Sequence, residues 1–320
     1  TSPMLYWTVC AKKFDSGTNI TASHNPKEYN GFKIVAKEGH SICGEELQEI
    51  LKIIQEDSFQ SAQTKGTIKS MDVWPEYKAE LLTKVKPLRK LKIVIDAGNG
   101  IAGKFAPELF REFGCEVFEL YCQPDGNFPN HEANPEELKN MQDLINTVHA
   151  SHADLGICFD GDGDRVGVVD EKGQLYSSDF MLLLLAKDLL TRMPNSKIVF
   201  DVKVSQAIIN NLKANGAIPV MSKTGHSFIE QKMKEIGAPL AGEVSGHLFF
   251  GEDYYGFDDA LLAAGKILQI ISHGKKPLSQ TFAHLPKAYT TPEFKAHCPD
   301  DKKFQIVKNL VAHFTAKYDC

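Results

Sequence analysis

Three aspartates at alternate positions are the strongest chemical signal in the sequence. The segment, here called the Asp loop (residues 160–165), reads Asp160-Gly161-Asp162-Gly163-Asp164-Arg165. Alternation would bring the three carboxylates to one side of the backbone, and the glycines permit the tight path that this requires. Three carboxylates this close repel one another unless a cation lies among them. The loop therefore predicts a metal site, and Arg165 beside it suits a phosphate or sugar oxygen.

The Asp loop has two alternative interpretations, an EF-hand calcium loop and a solvated acidic turn. An EF-hand calcium loop requires glycine at its sixth position, where Arg165 stands, and a helix on either side, where β-branched residues predict strands. A solvated acidic turn would need no metal at all. The apolar segments on both sides place the loop between two strands, which favours the metal site.

A serine lies in a loop near the start of the chain. The serine loop (residues 21–26) reads Thr21-Ala22-Ser23-His24-Asn25-Pro26 and precedes the apolar segment 29–35. Its residue types are typical of a plain turn. Ser23 and His24 do not indicate a hydrolase, because neighbouring side chains rarely face one another and no G-x-S-x-G elbow is present. Ser23 becomes a candidate site residue only because a metal loop elsewhere could coordinate a group attached to it.

Two further loops combine polar groups with glycine. One reads Lys223-Thr224-Gly225-His226-Ser227, and the other, the Glu loop (residues 242–247), reads Gly242-Glu243-Val244-Ser245-Gly246-His247. The first precedes a predicted helix, where anions commonly bind. The second offers a carboxylate and a hydroxyl that suit sugar hydroxyls. A helix N-cap at Ser227 and a plain turn at 242–247 are the alternatives.

The elements that would position these loops occur twice in the chain. Each copy has an apolar strand that ends in Asp (92–96 and 197–201), an amphipathic segment (103–113 and 205–215) and a second strand (116–121 and 217–221). A strand over 154–159 leads into the Asp loop, and another over 166–169 follows it. Near-continuous apolar strands alternating with helices predict α/β domains whose sheets are covered on both faces. Ligands of such sheets bind beyond the carboxyl ends of the strands, where these loops fall.

Composition excludes several classes of protein. The net charge is −5 and no basic stripe carries interleaved aromatics, so nucleic-acid binding is not indicated. The longest apolar run, 180–186, is too short to span a bilayer, and no secretory signal is visible. Seven cysteines without a C-x-x-C pair suit a reducing cytoplasm. The sequence leaves the oligomeric state undetermined.

A chain of 320 residues predicts two to four domains. We place a partial first domain with the serine loop at 1–70, a second with the Asp loop at 71–175 and a third with the Glu loop at 176–285. The prolines at positions 286, 292 and 299 mark the start of a further domain at 286–320. Its amphipathic segment 301–317 has nothing left to pack against, so this final domain is expected to be incomplete.

Taken together, the loops resemble those of the α-D-phosphohexomutase family, most closely its bacterial phosphomannomutase/phosphoglucomutase branch. The resemblance covers essentially the whole chain. It rests on the serine loop followed by 29–35, on the Asp loop, and on the later loops in this order. The resemblance implies several similar α/β domains with mixed sheets around a central cleft, the first three sharing a topology. It also implies an earlier stretch of the first domain, which is absent here, and a fourth, phosphate-binding domain. This sequence would contain only the start of that fourth domain, at 286–320, and would stop before the loop that grips the distal phosphate of the substrate.

The resemblance also implies roles for individual residues. Ser23 would carry a phosphoryl group, and Mg²⁺ would be held by Asp160, Asp162, Asp164 and a phosphoserine oxygen. His24 and Lys33 would lie near the transferred group, with Lys33 as a candidate general acid/base. The implied substrate contacts are Arg165, Lys203, Lys223, His226, Glu243, Ser245 and His247, of which Glu243 and Ser245 would bind the O3 and O4 hydroxyls of the sugar.

The implied activity is interconversion of hexose 1-phosphate and hexose 6-phosphate through a hexose 1,6-bisphosphate. A phosphoglucosamine mutase is one alternative, although Glu243-Val244-Ser245 is closer to the Glu-Met-Ser of the mannose/glucose branch than to Glu-Gln-Ser. A non-catalytic sugar-phosphate-binding fragment is another. These loops do not distinguish mannose from glucose.

Overall fold

The computed structural model describes residues 1–283, 285, 297–299 and 301–318. It divides into one unit over Thr1–Pro286 and another over Lys287–Cys320. The prolines at 286 and 292, which mark the predicted start of the last domain, lie outside the described residues.

The serine loop connects the two strands of a small sheet at the start of the chain. The elements here are α1 (Ser2–Lys12), β1 (Ser16–Ile20), β2 (Phe32–Ala36), a short 3-10 helix (Lys37–Gly39) and α2 (Glu45–Gln55). The strands are antiparallel, with Asn19 opposite Lys33. Because side chains alternate along a strand, Lys33 lies on the same face as the buried Val35. The sheet thus turns Lys33 toward the interior, although its side chain is charged.

A five-stranded mixed sheet carries the Asp loop. Its elements are α3 (Trp74–Lys84), β3 (Lys92–Asp96), α4 (Ala106–Glu112), β4 (Glu116–Leu120), α5 (Gln142–Ser151), β5 (Leu155–Phe159), β6 (Val166–Asp170) and β7 (Leu175–Tyr176), with 3-10 turns at Ile101–Lys104 and Leu138–Met141. The strand order is β4-β3-β5-β6-β7. Strands β4 and β5 run parallel to β3, and β6 runs antiparallel to β5.

A four-stranded sheet carries the Glu loop. Its elements are α6 (Ser178–Leu190), β8 (Lys197–Asp201), α7 (Gln206–Ala214), β9 (Ile218–Ser222), α8 (His226–Ile236), β10 (Leu240–Gly242), β11 (Leu248–Phe250), α9 (Ala260–His273) and α10 (Leu278–Thr281). The strand order is β11-β10-β8-β9. Strands β9 and β10 run parallel to β8, and β11 runs antiparallel to β10.

The predicted repeat is therefore confirmed, because β4-β3-β5-β6 and β9-β8-β10-β11 have the same order and directions. The predicted α/β class and mixed sheets are also confirmed. The first amphipathic segment was predicted as continuous over 103–113, but α4 begins only at Ala106, after a 3-10 turn. Pro107 lies in its first turn, where the missing N–H of proline costs no hydrogen bond.

The apolar run 180–186 belongs to α6, a helix buried on nearly all sides in the core. It packs against α7, α9 and β10. A helix that is apolar around its whole circumference requires such burial. Among the described residues, no helix is both long and apolar enough to cross a membrane.

In the unit over Lys287–Cys320, α11 (Lys303–Lys317) agrees with the helix predicted at 301–317. Its apolar residues recur at helical spacing, at Phe304, Val307, Val311 and Phe314.

Candidate active site

The Asp loop and the Glu loop occupy the same place in their two sheets, and they meet. The Asp loop joins β5 to β6, and the Glu loop joins β10 to β11. The backbone N–H of Val166 donates to the carbonyl of Gly246 at 3.2 Å, and Arg165 pairs with His247 in an isolated bridge. The two loops therefore form one continuous surface across two sheets.

Asp160 closes the turn of the Asp loop. Its Oδ1 accepts hydrogen bonds from the backbone N–H groups of Gly163, Asp164 and Arg165 at 3.0, 3.1 and 3.1 Å. Its Oδ2 accepts from Arg165 Nε at 3.0 Å and from Ser23 Oγ at 3.1 Å. Burial, and then the neighbouring aspartates, raise the pKa of Asp160 to about 7. Asp160 therefore holds the loop in shape and also contacts the predicted phosphoserine.

The three aspartates converge as the alternation predicted. One oxygen from each of Asp160, Asp162 and Asp164 lies within 4.8 Å of the others, and all three residues are buried. Among the described residues, the buried side-chain polar atoms without a hydrogen-bond partner are Tyr6 Oη, Asp162 Oδ1, Asp164 Oδ1 and Arg165 Nη2. Buried polar atoms normally have partners. Two orphaned carboxylate oxygens and an orphaned guanidinium N–H in one cluster fit a bound cation and a bound anion.

Cations from several parts of the chain surround this cluster. Lys33 Nζ lies 2.8 Å from Asp162 Oδ2 and also contacts Asp164 Oδ2. His247 Nδ1 lies 3.8 Å from Asp164 Oδ1. Burial opposes the charged form of Lys33, but its acidic neighbours, Asp164 foremost, together outweigh burial and hold the lysine pKa well above its usual value. Burial likewise opposes the charged form of Asp162, but Lys33 outweighs it and lowers the carboxyl pKa.

The serine loop is bound directly to the Asp loop. Thr21 Oγ1 accepts from the backbone N–H of Ser23 at 2.8 Å and donates to Asp162 Oδ2 at 3.1 Å. Ser23 has φ of 54°, a left-handed conformation that is uncommon outside glycine. A Cβ added at Gly161 would lie 2.2 Å from the Ser23 carbonyl oxygen. The glycine thus permits the two loops to approach closely.

The structure contradicts the expectation that the neighbouring side chains of Ser23 and His24 point apart. The side chains of Ser23 and His24 do face one another, with His24 Nδ1 at 3.2 Å from Ser23 Oγ. The unusual backbone of Ser23 turns these neighbours together, where an ordinary loop would point them apart. Burial, and then the charge of Arg165, lower the pKa of His24 to about 4. His24 is therefore a neutral imidazole at the serine near neutral pH.

The Glu loop is held by backbone groups. Glu243 Oε1 accepts from the N–H of Gly225 at 2.6 Å, and Asp201 Oδ1 accepts from the N–H of Val244 at 3.2 Å. Glu243 is buried, which raises its pKa, whereas Ser245 is half-buried. The alternative interpretation of Ser227 as a helix N-cap is not supported, because α8 begins at His226 and its cap position is Gly225.

Two histidines stack beside the Asp loop. The rings of His226 and His247 are 5.8 Å apart, and His247 Nδ1 lies 2.5 Å from Asp258 Oδ2. Burial opposes protonation of His247, but Asp164 and Asp258 outweigh it and raise its pKa to about 9. Burial lowers the pKa of His226 to about 4. The stacked pair therefore consists of one imidazolium and one neutral imidazole near neutral pH.

The structure brings most of the predicted site residues together. Lys203 and Lys223 are the exceptions, since both are exposed and lie outside the polar network of the described residues. Sequence reasoning missed several residues of that network, namely Ser2, Glu136, Asp201 and Asp258. Only Asp201 had a signal, because each repeat has a strand that ends in Asp.

Three parts of the chain match the phosphoglucomutase/phosphomannomutase family. They are alpha/beta/alpha domain I at residues 1–61, domain II at 75–173 and domain III at 177–289.

Individual relatives agree with this. The chain is 42% identical over 309 residues to a phosphomannomutase/phosphoglucomutase of Pseudomonas aeruginosa, covering 97% of this chain and 66% of that protein. It is 42% identical over 313 residues to a phosphoglucomutase of Neisseria gonorrhoeae, covering 98% of this chain and 68% of that one. The crystal structure of a phosphoglucomutase/phosphomannomutase family protein from Burkholderia thailandensis has a TM-score of 0.83 at 43% identity, covering 87% of this chain and 60% of that chain. The chain thus spans about two thirds of the length of these relatives, and it belongs to the phosphoglucomutase/phosphomannomutase family.

Proposed function

We propose that this chain is the larger part of a phosphohexomutase that interconverts hexose 1-phosphate and hexose 6-phosphate, with mannose or glucose as the sugar. One observation carries the proposal: the hydroxyl of Ser23 lies 3.1 Å from Asp160 inside a cluster of three buried carboxylates. A phosphoryl group on Ser23 would sit against the orphaned oxygens of that cluster and the orphaned Nη2 of Arg165.

We assign Mg²⁺ to the cluster of Asp160, Asp162 and Asp164, with a phosphoserine oxygen as a further ligand. The donor set consists only of oxygen atoms, which Mg²⁺ prefers. When bound, the ion would neutralise charge that develops on the oxygens of the transferring phosphoryl group.

The side chains of the protein supply the rest of the transfer. Phosphoserine 23 would give its phosphoryl group to the free hydroxyl of a hexose 1-phosphate, so that a new sugar O–P bond forms and the Ser23 Oγ–P bond breaks. Lys33, an ammonium on the same cluster, is the candidate acid that protonates Oγ. His24, neutral and 3.2 Å from Oγ, is suited to accept the hydroxyl proton in return. The resulting 1,6-bisphosphate would turn over and return its other phosphoryl group to Ser23.

The Glu loop supplies the sugar contacts in this proposal. Glu243 and Ser245 would bind two adjacent hydroxyls, and the His247 imidazolium would add a charged donor. At the solvent-exposed side of the site, the phosphate of the substrate would be contacted by Lys203, Lys223 and His226. The relatives at 42% identity are named for mannose and glucose phosphates, which supports these sugars over glucosamine. The six described cysteines are free, which supports the predicted cytoplasmic location.

We retain the predicted division into domains at 1–70, 71–175, 176–285 and 286–320. On this division the serine loop, the Asp loop and the Glu loop each come from a different domain and face one site.

Phosphorylation of Ser23 is the direct test. The chain is incubated with Mg²⁺ and glucose 1,6-bisphosphate or mannose 1,6-bisphosphate, and intact mass with peptide mapping locates the phosphate. We expect one phosphoryl group on Ser23, and none in Ser23→Ala. Ser58→Ala, at an exposed serine far along the chain, is the matched control and should be phosphorylated normally.

A coupled assay with hexose 1-phosphates then tests turnover. Phosphate found on Ser227 or Ser245 would contradict the assigned roles. Sugar-phosphate binding without any phosphorylation of Ser23 would instead favour a non-catalytic binding protein. Preference for glucosamine phosphates would favour the phosphoglucosamine alternative.

A further inference from the structure

Lys33 occupies the acidic cluster that we assign to the cation. We infer that its ammonium is a built-in counter-ion of the Asp loop, which a divalent cation displaces on binding, so that cation loading releases Lys33 for chemistry at Ser23. The inference rests on the cation site proposed above and adds a coupling between cation binding and the position of Lys33.

The contacts of Lys33 show how closely it is engaged. Its Nζ lies 2.8 Å from Asp162 Oδ2 and contacts Asp164 Oδ2, and its side chain is 19% exposed. The strand β2 places it opposite Asn19, whose Nδ2 donates to Ser2 Oγ at 2.9 Å. Ser2 Oγ in turn donates to Asp162 Oδ2 at 2.7 Å. The stem of Lys33 is thus fixed in register with the cluster, and its ammonium can move only at the end of a flexible side chain.

The Lys33 ammonium and a divalent cation would repel one another if both were bound to Asp162 and Asp164. Arg165 pairs with Asp160, and Lys33 pairs with Asp162 and Asp164. The His247 imidazolium, which also pairs with Asp258, lies 3.8 Å from Asp164. A divalent ion that used the Asp162 and Asp164 carboxylates would lie a few ångströms from the Lys33 ammonium, in a buried site where like charges repel strongly.

The orphaned oxygens show that lysine satisfies the cluster only in part. Asp162 Oδ1 and Asp164 Oδ1 accept no hydrogen bond while Lys33 contacts the Oδ2 atoms, and His247 comes only to 3.8 Å of Asp164 Oδ1. The Lys33 ammonium contacts only the two Oδ2 atoms, whereas a divalent ion can take six or more oxygen ligands, the Oδ1 atoms among them. Ser23 Oγ donates to the third aspartate of the same group, Asp160, so a Lys33 ammonium displaced from Asp162 and Asp164 stays close to the serine.

The first measurement is cation affinity. Mg²⁺ binding to the EDTA-treated chain is measured by calorimetry for the wild type, Lys33→Met and Lys37→Met. Methionine keeps the length of the side chain and removes its charge. We expect Lys33→Met to bind Mg²⁺ about tenfold or more tightly than the wild type. Lys37, four residues along the chain and paired with Asp15 at the surface, is the matched control and should leave the affinity unchanged.

The second measurement follows Lys33 in the wild type, so it does not depend on any variant folding. An amine-reactive reagent is applied at fixed pH and ionic strength, with and without saturating Mg²⁺, and the modified lysines are quantified by mass spectrometry. We expect modification of Lys33 to rise several-fold with Mg²⁺, while Lys37 stays equally reactive in both conditions.

The outcomes separate this inference from the function on which it rests. Mg²⁺ binding without any change in the reactivity of Lys33, or an affinity that is equal or weaker in Lys33→Met, would overturn the displacement of Lys33 and leave the cation site intact. Absence of Mg²⁺ binding in the wild type and in Lys33→Met alike would overturn the cation site, and the inference with it.

Discussion

The Asp loop and the Glu loop occupy equivalent positions in two sheets of one topology, but they are stabilised in different ways. Both begin with a buried carboxylate directly after the central strands, Asp160 after β5 and Glu243 after β10. In both, a backbone bond closes the turn, from Gly163 N to Asp160 O and from Gly246 N to Glu243 O, each 3.2 Å. The Asp loop then adds two more carboxylates, whereas the Glu loop adds a hydroxyl and an imidazole.

The difference lies in where each loop obtains its compensating charge. The single carboxylate of the Glu loop accepts a hydrogen bond from the backbone N–H of Gly225, which directly precedes α8. The three carboxylates of the Asp loop need Lys33 from the first strands and His247 from the Glu loop, in addition to their own Arg165. The strand-loop-strand unit that occurs in both sheets can thus hold a cation-binding cluster of carboxylates only where other parts of the chain supply positive charge.

The largest expected effect is a difference between the two loops in their importance for cation binding. Asp162→Asn should weaken Mg²⁺ binding by about 100-fold or more, because it removes a charged ligand. Its thermal midpoint without Mg²⁺ should fall by several °C, because the buried Lys33 ammonium loses one of its two carboxylate partners. Calorimetry and thermal unfolding measure both. Glu243→Gln is the matched control, with Mg²⁺ affinity unchanged, and an equal loss in the two variants would contradict the division of roles.

A smaller effect concerns stability at the two equivalent carboxylates. Asp160→Ala should cost about 3–5 kcal/mol of unfolding free energy, because it leaves the buried Arg165 with only the more distant Glu136 at 3.8 Å and leaves three backbone N–H groups without their acceptor. Glu243→Ala should cost about 1–2 kcal/mol, since one principal N–H contact is lost. Urea unfolding followed by tryptophan fluorescence compares them. Equal costs would show that the extra charge of the Asp loop does not enter its stability.

The next prediction tests the contact between the Asp loop and the serine loop. A side chain at Gly161 would collide with the carbonyl of Ser23, so Gly161→Ala should slow phosphorylation of Ser23 by about tenfold or more. Gly126→Ala is the control, because a Cβ at Gly126 meets nothing within 4 Å. The rate is measured by quenching and mass spectrometry with glucose 1,6-bisphosphate. If both variants react at the wild-type rate, close approach of the loops is unnecessary.

The smallest effects should come from the exposed lysines beside the Glu loop. Lys203→Met and Lys223→Met should shift the thermal midpoint by less than about 1 °C, because exposed charges contribute little to stability. Their affinity for glucose 6-phosphate should fall by about threefold to tenfold, and less so at high salt. Calorimetry at two salt concentrations provides the measurement, with Lys37→Met as the control. Unchanged affinity would place these lysines outside the reach of the substrate.

Much of the fold could be predicted because the central strands of its two larger sheets are buried on both faces. The strands over 92–96 and 197–201 agree with β3 and β8, since each apolar run ends at an Asp that marks the edge of the sheet. The start of α4 was misplaced, because the 3-10 turn before it and Pro107 in its first turn depend on local backbone geometry that apolar periodicity does not report. The contact of Ser23 with His24 was also misjudged, because it depends on a left-handed backbone at Ser23.

The sequence by itself determined the content of each loop and its place at the end of a strand. Alternating aspartates between two apolar runs were sufficient to predict convergence on a cation. Only the tertiary structure decided which cation meets which carboxylate, because Lys33 and Asp164 are 131 residues apart in the chain. It also decided the protonation of the neighbouring groups: burial favours neutral histidine at His226, whereas two buried carboxylates favour the charged form at His247. Burial and the distances between charges set these energies, and both arise only when the sheets pack together.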